Sequence, residues 1–566
     1  MKPIRNPFTS VSIRNLVATG SIALSMGLPC AEAATRYWDS NTTTAGAGAA
    51  PAGTWGTSAF WSSSVDGTLT PATATTAAID DLVFSAGTDA IGSYTVTVSG
   101  TQLARRMTVE EGSPTFSGGT LISLNTAGGI TVGATAGNPV VSNSLAITGN
   151  QTFNIGAGRI LTLNTGTFTR NAGSILNVQG TGTVTSVLTG LSANNAAGII
   201  GTWASYGTGA ATQYATFSGS NIGGLTGVAA ADGSALTDTT GLVNYDLAAG
   251  GGAVPATVSA NTIRYTGVVA GASAPGATSF SVNGLMNSGT AAWTIGTNAL
   301  TIGADKELVV NTANAAIAIS SAIADNAGGA SSLTKAGSGT LTLSGTNLYS
   351  GPTAVVGGVL DVGLISNGSL GSGGLSLIGG TVLQGNGTFS RTVSGNITPG
   401  TGQISSLEGG FAAKGGVLTV DFGAELALST SFRFGSNFVF GSSTADSKVV
   451  VVNPINLNGS SRTITVNPGL GGDYAEFSAN VGPAAGAFGI TKSGTGRLVL
   501  SALNNTYTGS TTLNADHVLT GKPLQRRTPG YELRALISDD ERHPSLRQVD
   551  AAGVDPGHRP RTQSHR

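Results

Sequence analysis

One pattern constrains this chain more than any other: short runs in which every second residue is apolar and the residue between is Thr or another small polar residue. Tyr94-Thr95-Val96-Thr97-Val98, Ile160-Leu161-Thr162-Leu163, Gly339-Thr340-Leu341-Thr342-Leu343 and Arg462-Thr463-Ile464-Thr465-Val466 all read this way. Successive residues of a strand point to opposite faces, so each run has one oily face and one hydroxyl-bearing face. Gly-Gly, Asn-Gly, Ser-Gly and Gly-Asn pairs separate the runs and permit the positive φ of tight turns. Helical periodicity over about eleven or more residues is hard to find. The pattern predicts an all-β fold.

Composition narrows the class. Glycine supplies 86 of 566 residues, and charged residues make up only 10%, against a usual share of about 25%. No stretch beyond the N-terminal segment reaches the ~18 uninterrupted apolar residues of a spanning helix. Disordered chains are richer in charge, and the strict G-X-Y period of collagen is missing. What remains is a β protein whose outer face carries Thr, Ser and Asn. Residues 34–515 hold 15 Lys/Arg against 20 Asp/Glu. With no basic stripe, nucleic acid is disfavoured as a partner, as is anionic lipid.

Residues 1–33 have the layout of a cleaved secretory signal: Lys2, Arg5 and Arg14, then the apolar Leu16–Leu28, then Ala31-Glu32-Ala33 before Ala34. Cys30 is the only cysteine. The exported chain would then contain no disulfide, and ladder hydrogen bonds and stacked cores would have to hold it together.

Two segments repeat. Leu333-Thr334-Lys335-Ala336-Gly337-Ser338-Gly339-Thr340-Leu341-Thr342-Leu343-Ser344 aligns with Ile490-Thr491-Lys492-Ser493-Gly494-Thr495-Gly496-Arg497-Leu498-Val499-Leu500-Ser501. Asn347-Leu348-Tyr349-Ser350-Gly351-Pro352-Thr353 aligns, after a shift of one, with Asn505-Thr506-Tyr507-Thr508-Gly509-Ser510-Thr511. Each unit reads as a strand entering Lys-x-Gly-x-Gly, a second strand x-Leu-x-Leu-Ser, an Asn-x-Tyr-x-Gly corner and a third strand such as Ala354–Leu360. Its apolar row needs a neighbouring coil to cover it, which is the logic of a stacked solenoid. These residues resemble the autotransporter-associated β-strand repeat, also called the passenger-associated transport repeat. The resemblance implies a right-handed parallel β-helix passenger delivered to or beyond the outer membrane of a Gram-negative-type cell, in which the repeat assists secretion and folding.

The expected organisation is a signal peptide at 1–33, an N-terminal β cap at 34–117, a β-solenoid passenger at 118–515 with repeats near 331–363 and 488–515, and a tail at 516–566. The cap holds Trp38, Trp55 and Trp61, which either close the solenoid's end or offer rings to a ligand. At Asp516 the repeat gives way to a segment with five prolines and all four histidines, His517, His543, His558 and His565. That change reads as an altered frame or a truncation, or as a genuine disordered tail. The strands of an autotransporter barrel do not follow, so the outer-membrane translocator is expected outside this chain.

Residues 34–515 contain no histidine and no cysteine, which removes Ser-His-Asp and Cys-His catalysis and His- or Cys-ligated zinc. Carboxylates remain. Asp80-Asp81 and Glu110-Glu111 are adjacent pairs that a strand would point apart. Asp305-Lys306-Glu307 reads as a charged turn, and Gly469–Asp473 loosely resembles a calcium turn, though calcium β-rolls need tandem copies. The Gly-x-Gly elements at Gly337 and Gly494 lead into strands and so lack a phosphate-binding helix terminus. Lys335 and Lys492 read as solvated corners, or as a pair able to meet acidic glycans. No catalytic, cofactor-binding or metal site is assigned. Two functions stay open: a structural or adhesive surface protein, with surface glycans or other cells as partners, and a secreted carbohydrate-active β-helix of lyase or glycosidase type.

Overall fold

The computed structural model describes residues 34–275, 279–296, 300–365, 370–429, 431–435, 437–482, 486–514 and 518–520. The expected signal peptide and residues 521–566 lie outside them. All the alternating runs named above form strands, and the only helical turns among the described residues are the short 3-10 turns Gly209–Ala211 and Gly233–Ala235. The chain is an all-β, parallel solenoid.

Its apolar rows stack coil upon coil. Trp293, Ile317, Leu341, Leu360, Leu383 and Phe411 stand in register on successive parallel strands. All are buried. Each such side chain stabilises by about 1.5–3 kcal/mol relative to exposure, and only the next coil can supply the cover. The third strand expected at Ala354–Leu360 is two strands, Thr353–Val355 and Val359–Ile365. They are separated by Gly357 and by Gly358, whose φ of 63° turns the chain through a corner.

The coils do not form a single rod. One buried core contains Trp38 through Ile222, and a second contains Ala230 through Leu500. The first column closes with the antiparallel strands Ala204–Tyr206, Gln213–Ser218 and Asn221–Gly224. The second begins at Val228–Ala230, parallel to Asn244–Leu247, and lies alongside the first in the opposite direction. Arg264 Nη1 donates to the Thr212 carbonyl at 3.1 Å, Arg170 pairs with Glu307, and Arg105 reaches Glu408 at 3.7 Å. Contacts therefore climb one column as they descend the other.

The seam between columns explains an anomaly in burial. On strands Ser332–Ala336, Thr353–Val355, Leu375–Ile378 and Gln403–Leu407 almost every residue is buried, as in a sheet covered on both faces. The outer residues there are small: Thr334, Ala336, Ala354, Ser376 and Ser405. With Val356 and Ile378, two of them (Ala336 and Ala354) pack against Ile175 and Trp203 of the first column. Small side chains let two pleated surfaces approach closely.

At the chain's start, Trp38, Trp55 and Trp61 pack edge to face with one another and with Phe84. All three are at most 1% exposed, which rules out the reading in which they stack on a ligand. They fill the end of the first core. At the far end the stack runs past residue 515: Val518–Thr520 pairs in parallel with Leu498–Leu500.

Candidate functional site

Of the sequence-flagged carboxylates, Asp80, Asp81, Glu111, Glu307 and Asp473 are engaged in structure. Asp80 is fully buried, accepts from Arg36 Nε at 2.7 Å and also holds the Ala34 and Ala77 amides. Asp81 takes a two-point bond from Arg105, Nε at 2.9 Å and Nη2 at 2.6 Å. The two neighbours thus serve different arginines and do not converge on one point. Glu111 accepts from Ser85 Oγ at 2.9 Å, and burial raises its pKa above the ordinary value.

Asp305-Lys306-Glu307 is only partly the turn expected. Lys306 has a φ of 55° and donates from Nζ to the Gly328 carbonyl. Glu307, however, opens a strand and sits in the seam. It receives both Nη atoms of Arg170, at 2.8 and 2.7 Å, and the Thr334 hydroxyl at 2.5 Å. Arg170 in turn lies 5.4 Å from the centre of the Trp203 ring. Gly469–Asp473 is a plain turn in which Asp473 accepts from the Gly471 amide.

Lys335 and Lys492 overturn both sequence readings. Neither is a solvated corner and neither can meet a glycan, because both are fully buried. Lys335 stands in the inward row between Val310 and Val355, and Lys492 between Ile464 and Leu513. The Lys335 ammonium donates to the carbonyls of Ala336 (2.7 Å), Gly337 (2.9 Å) and Gly357 (2.8 Å). Lys492 donates to those of Ser493 and Gly494 at 3.0 and 2.5 Å. Burial pushes the Lys335 pKa well below its usual value. The lysine ties a corner's carbonyls together from inside the core. Gly337 and Gly494 have φ of 76° and 73°, and a Cβ on either would meet a carbonyl of the preceding coil at 2.5 or 2.3 Å.

The Asn-x-Tyr corner also binds coil to coil. Asn347 Oδ1 accepts the Ile323 amide at 3.2 Å, and Asn505 Oδ1 accepts the Val481 amide at 2.9 Å. Tyr349 and Tyr507 bond the hydroxyls of Thr353 and Thr511 at 2.6 and 2.8 Å. The shared Lys, Asn and Tyr positions therefore act within or between coils.

What the outer surface offers is a ladder of polar side chains. Thr108, Thr131, Asn154 and Gln179 stand in register on four successive coils. With Arg106 and Thr152 they line a shallow groove of about 480 Å³ on the first column. Among the described residues no group of three or more His, Cys, Asp or Glu is placed to hold a metal ion, and no helix is long and apolar enough to cross a membrane.

Stacked parallel coils and two corner-forming repeats define a β-solenoid repeat protein. The family model of the passenger-associated-transport-repeat matches residues 333–362 and 490–515. The chain therefore carries two copies of this passenger-associated repeat on a β-solenoid. No curated protein and no solved structure matches it.

Proposed function

We propose that the chain is an exported passenger displayed at the surface of a Gram-negative-type cell, with a structural and adhesive role and no catalysis of its own. One observation carries this reading. Asp80, Asp81 and Glu307 are bound to arginines, whereas among the described residues no side-chain hydrogen bond ties down Thr108, Thr131 or Asn154 on the open ladder. Uncommitted donors and acceptors repeating at the ~4.8 Å coil spacing suit weak, multiple contacts along an extended polar partner such as a surface glycan. Charge does not select the partner, since Arg106 is the only ionised group lining the groove.

The test has two arms. Protease treatment of intact cells should remove the protein, and purified protein should retain glycans or cells in a manner weakened by Thr131→Asp and Asn154→Asp together. Protein protected inside intact cells would overturn the location. Polysaccharide depolymerisation that is lost in Asp81→Asn would overturn the non-catalytic role in favour of a carbohydrate-active β-helix.

A further inference from the structure

The loop that follows the first strand carries an electrostatic deficit that the fold leaves unfilled. Asp39 is fully buried. Its Oδ1 accepts the Asn41 amide at 2.9 Å, while its Oδ2 has no hydrogen-bond partner among the described residues. Asn41 Oδ1 is likewise buried and unpartnered. From the next coil Asp89 closes the loop, accepting the Ala47 amide at 2.8 Å and the Gly48 amide at 3.0 Å. Ser40 Oγ holds the Ala47 carbonyl at 3.0 Å. Gly46, at a φ of 87°, is packed so tightly that a Cβ would lie 2.3 Å from the Asp89 carboxyl carbon.

Asp89 is close enough for its charge to act on both Asp39 and Glu111. Burial, and then the neighbouring Asp89, raise the Asp39 pKa, although the Asn41 amide opposes the change. Asp89 also contributes to raising that of Glu111. Among the described residues no lysine or arginine forms an ion pair with Asp39, Asp89 or Glu111, although eight such pairs occur elsewhere. A buried carboxylate oxygen without a partner is costly, and two orphaned oxygens two residues apart beside a second carboxylate call for a cation.

We infer that Asp39, Asn41 and Asp89 form a calcium site that fastens the Asp39–Gly48 loop to the first column. The donors are all oxygen, which suits a hard cation. Calcium's flexible shell of six to eight oxygens accepts a loop of this kind, with main-chain carbonyls and water completing it, whereas magnesium demands a near-ideal octahedron and retains its waters. The site has two carboxylates and one amide. It resembles the weak calcium sites of extracellular modules, with affinities of about 10⁻⁴–10⁻³ M, and it needs only the fold, independently of any partner on the polar ladder.

Trp38, adjacent to Asp39 and buried, supplies the readout. Terbium added to metal-free protein should show emission sensitised through tryptophan, displaced by calcium but not by equal magnesium, and calcium should raise the melting temperature. Asn41→Ala removes an oxygen that bonds nothing in the fold, so its metal-free melting temperature should match the parent while terbium binding weakens at least tenfold. Asp89→Asn should also lose binding. Absence of sensitised emission, or equal affinity in parent and Asn41→Ala, would overturn the site.

Discussion

Arg170 and Glu307 lie 137 residues apart in sequence and meet through two bonds of 2.8 and 2.7 Å. They join the two columns of the solenoid. With side chains only 17% and 15% exposed, they occupy a partly dry setting where a lone charge is poorly tolerated. Glu307→Gln should therefore destabilise the protein by about 2–3 kcal/mol. Lys448→Ala, which breaks a pair whose lysine is 34% exposed, should cost under about 1 kcal/mol. Thermal unfolding of the two variants should rank them in that order.

Removing the Asn347 side chain takes away the acceptor of the Ile323 amide. Ile323 is buried, so water cannot replace it without opening the corner. Asn347→Ala should cost about 1–3 kcal/mol, and amide exchange should quicken first at Ile323 and its coil. Exchange that stays slow there while distant coils accelerate would contradict the coil-to-coil role.

Lys335→Met keeps the length and the apolar stem but leaves the carbonyls of Ala336, Gly337 and Gly357 without their donor. A loss of about 2–4 kcal/mol is expected from three dry acceptors. The midpoint of urea unfolding reads this. A methionine variant as stable as the parent would show that the lysine is tolerated at this position and not needed there.

These two corner variants also mark where the sequence was readable. Alternation identified Thr340–Leu343 and Arg462–Val466 as strands, and the repeated Lys-x-Gly-x-Gly and Asn-x-Tyr-x-Gly identified the corners. The inward position of Lys335 was visible too, two residues after Leu333 in an alternating run. A charge is ordinarily assigned to solvent, and only the converging carbonyls show otherwise. The seam was not legible. Thr334, Ser376 and Ser405 look like a hydrated face, because alternation says which residues share a face and not what covers it. The Asp39-Ser40-Asn41 loop was missed for a related reason: three residues carry no signal until Asp89 arrives from another coil.

Glu408 gives the seam a pH dependence. Burial raises its pKa above the usual 4.5, Arg105 pulls it down, and Asp81 pushes it up. Between 4.5 and the raised value the folded chain holds more protons than the unfolded chain, so stability falls as pH rises through that window. In Glu408→Gln this contribution disappears. The drop in melting temperature on going from pH 4.5 to pH 7 should be smaller in the variant than in the parent, and an equal or larger drop would contradict the assignment.

Two columns docked side by side, not one extended rod, are the centre of this account. Residues 34–566 contain no cysteine, so labels can be placed freely there. Spin labels at Arg106→Cys and Ser431→Cys sit near the Arg105–Glu408 contact and beside Phe432, which packs in the seam. Pulsed dipolar spectroscopy should give a separation under about 30 Å for adjacent columns. A single rod would put roughly a dozen coils between them, on the order of 60 Å at the ~4.8 Å coil spacing, and that distance would contradict the fold described.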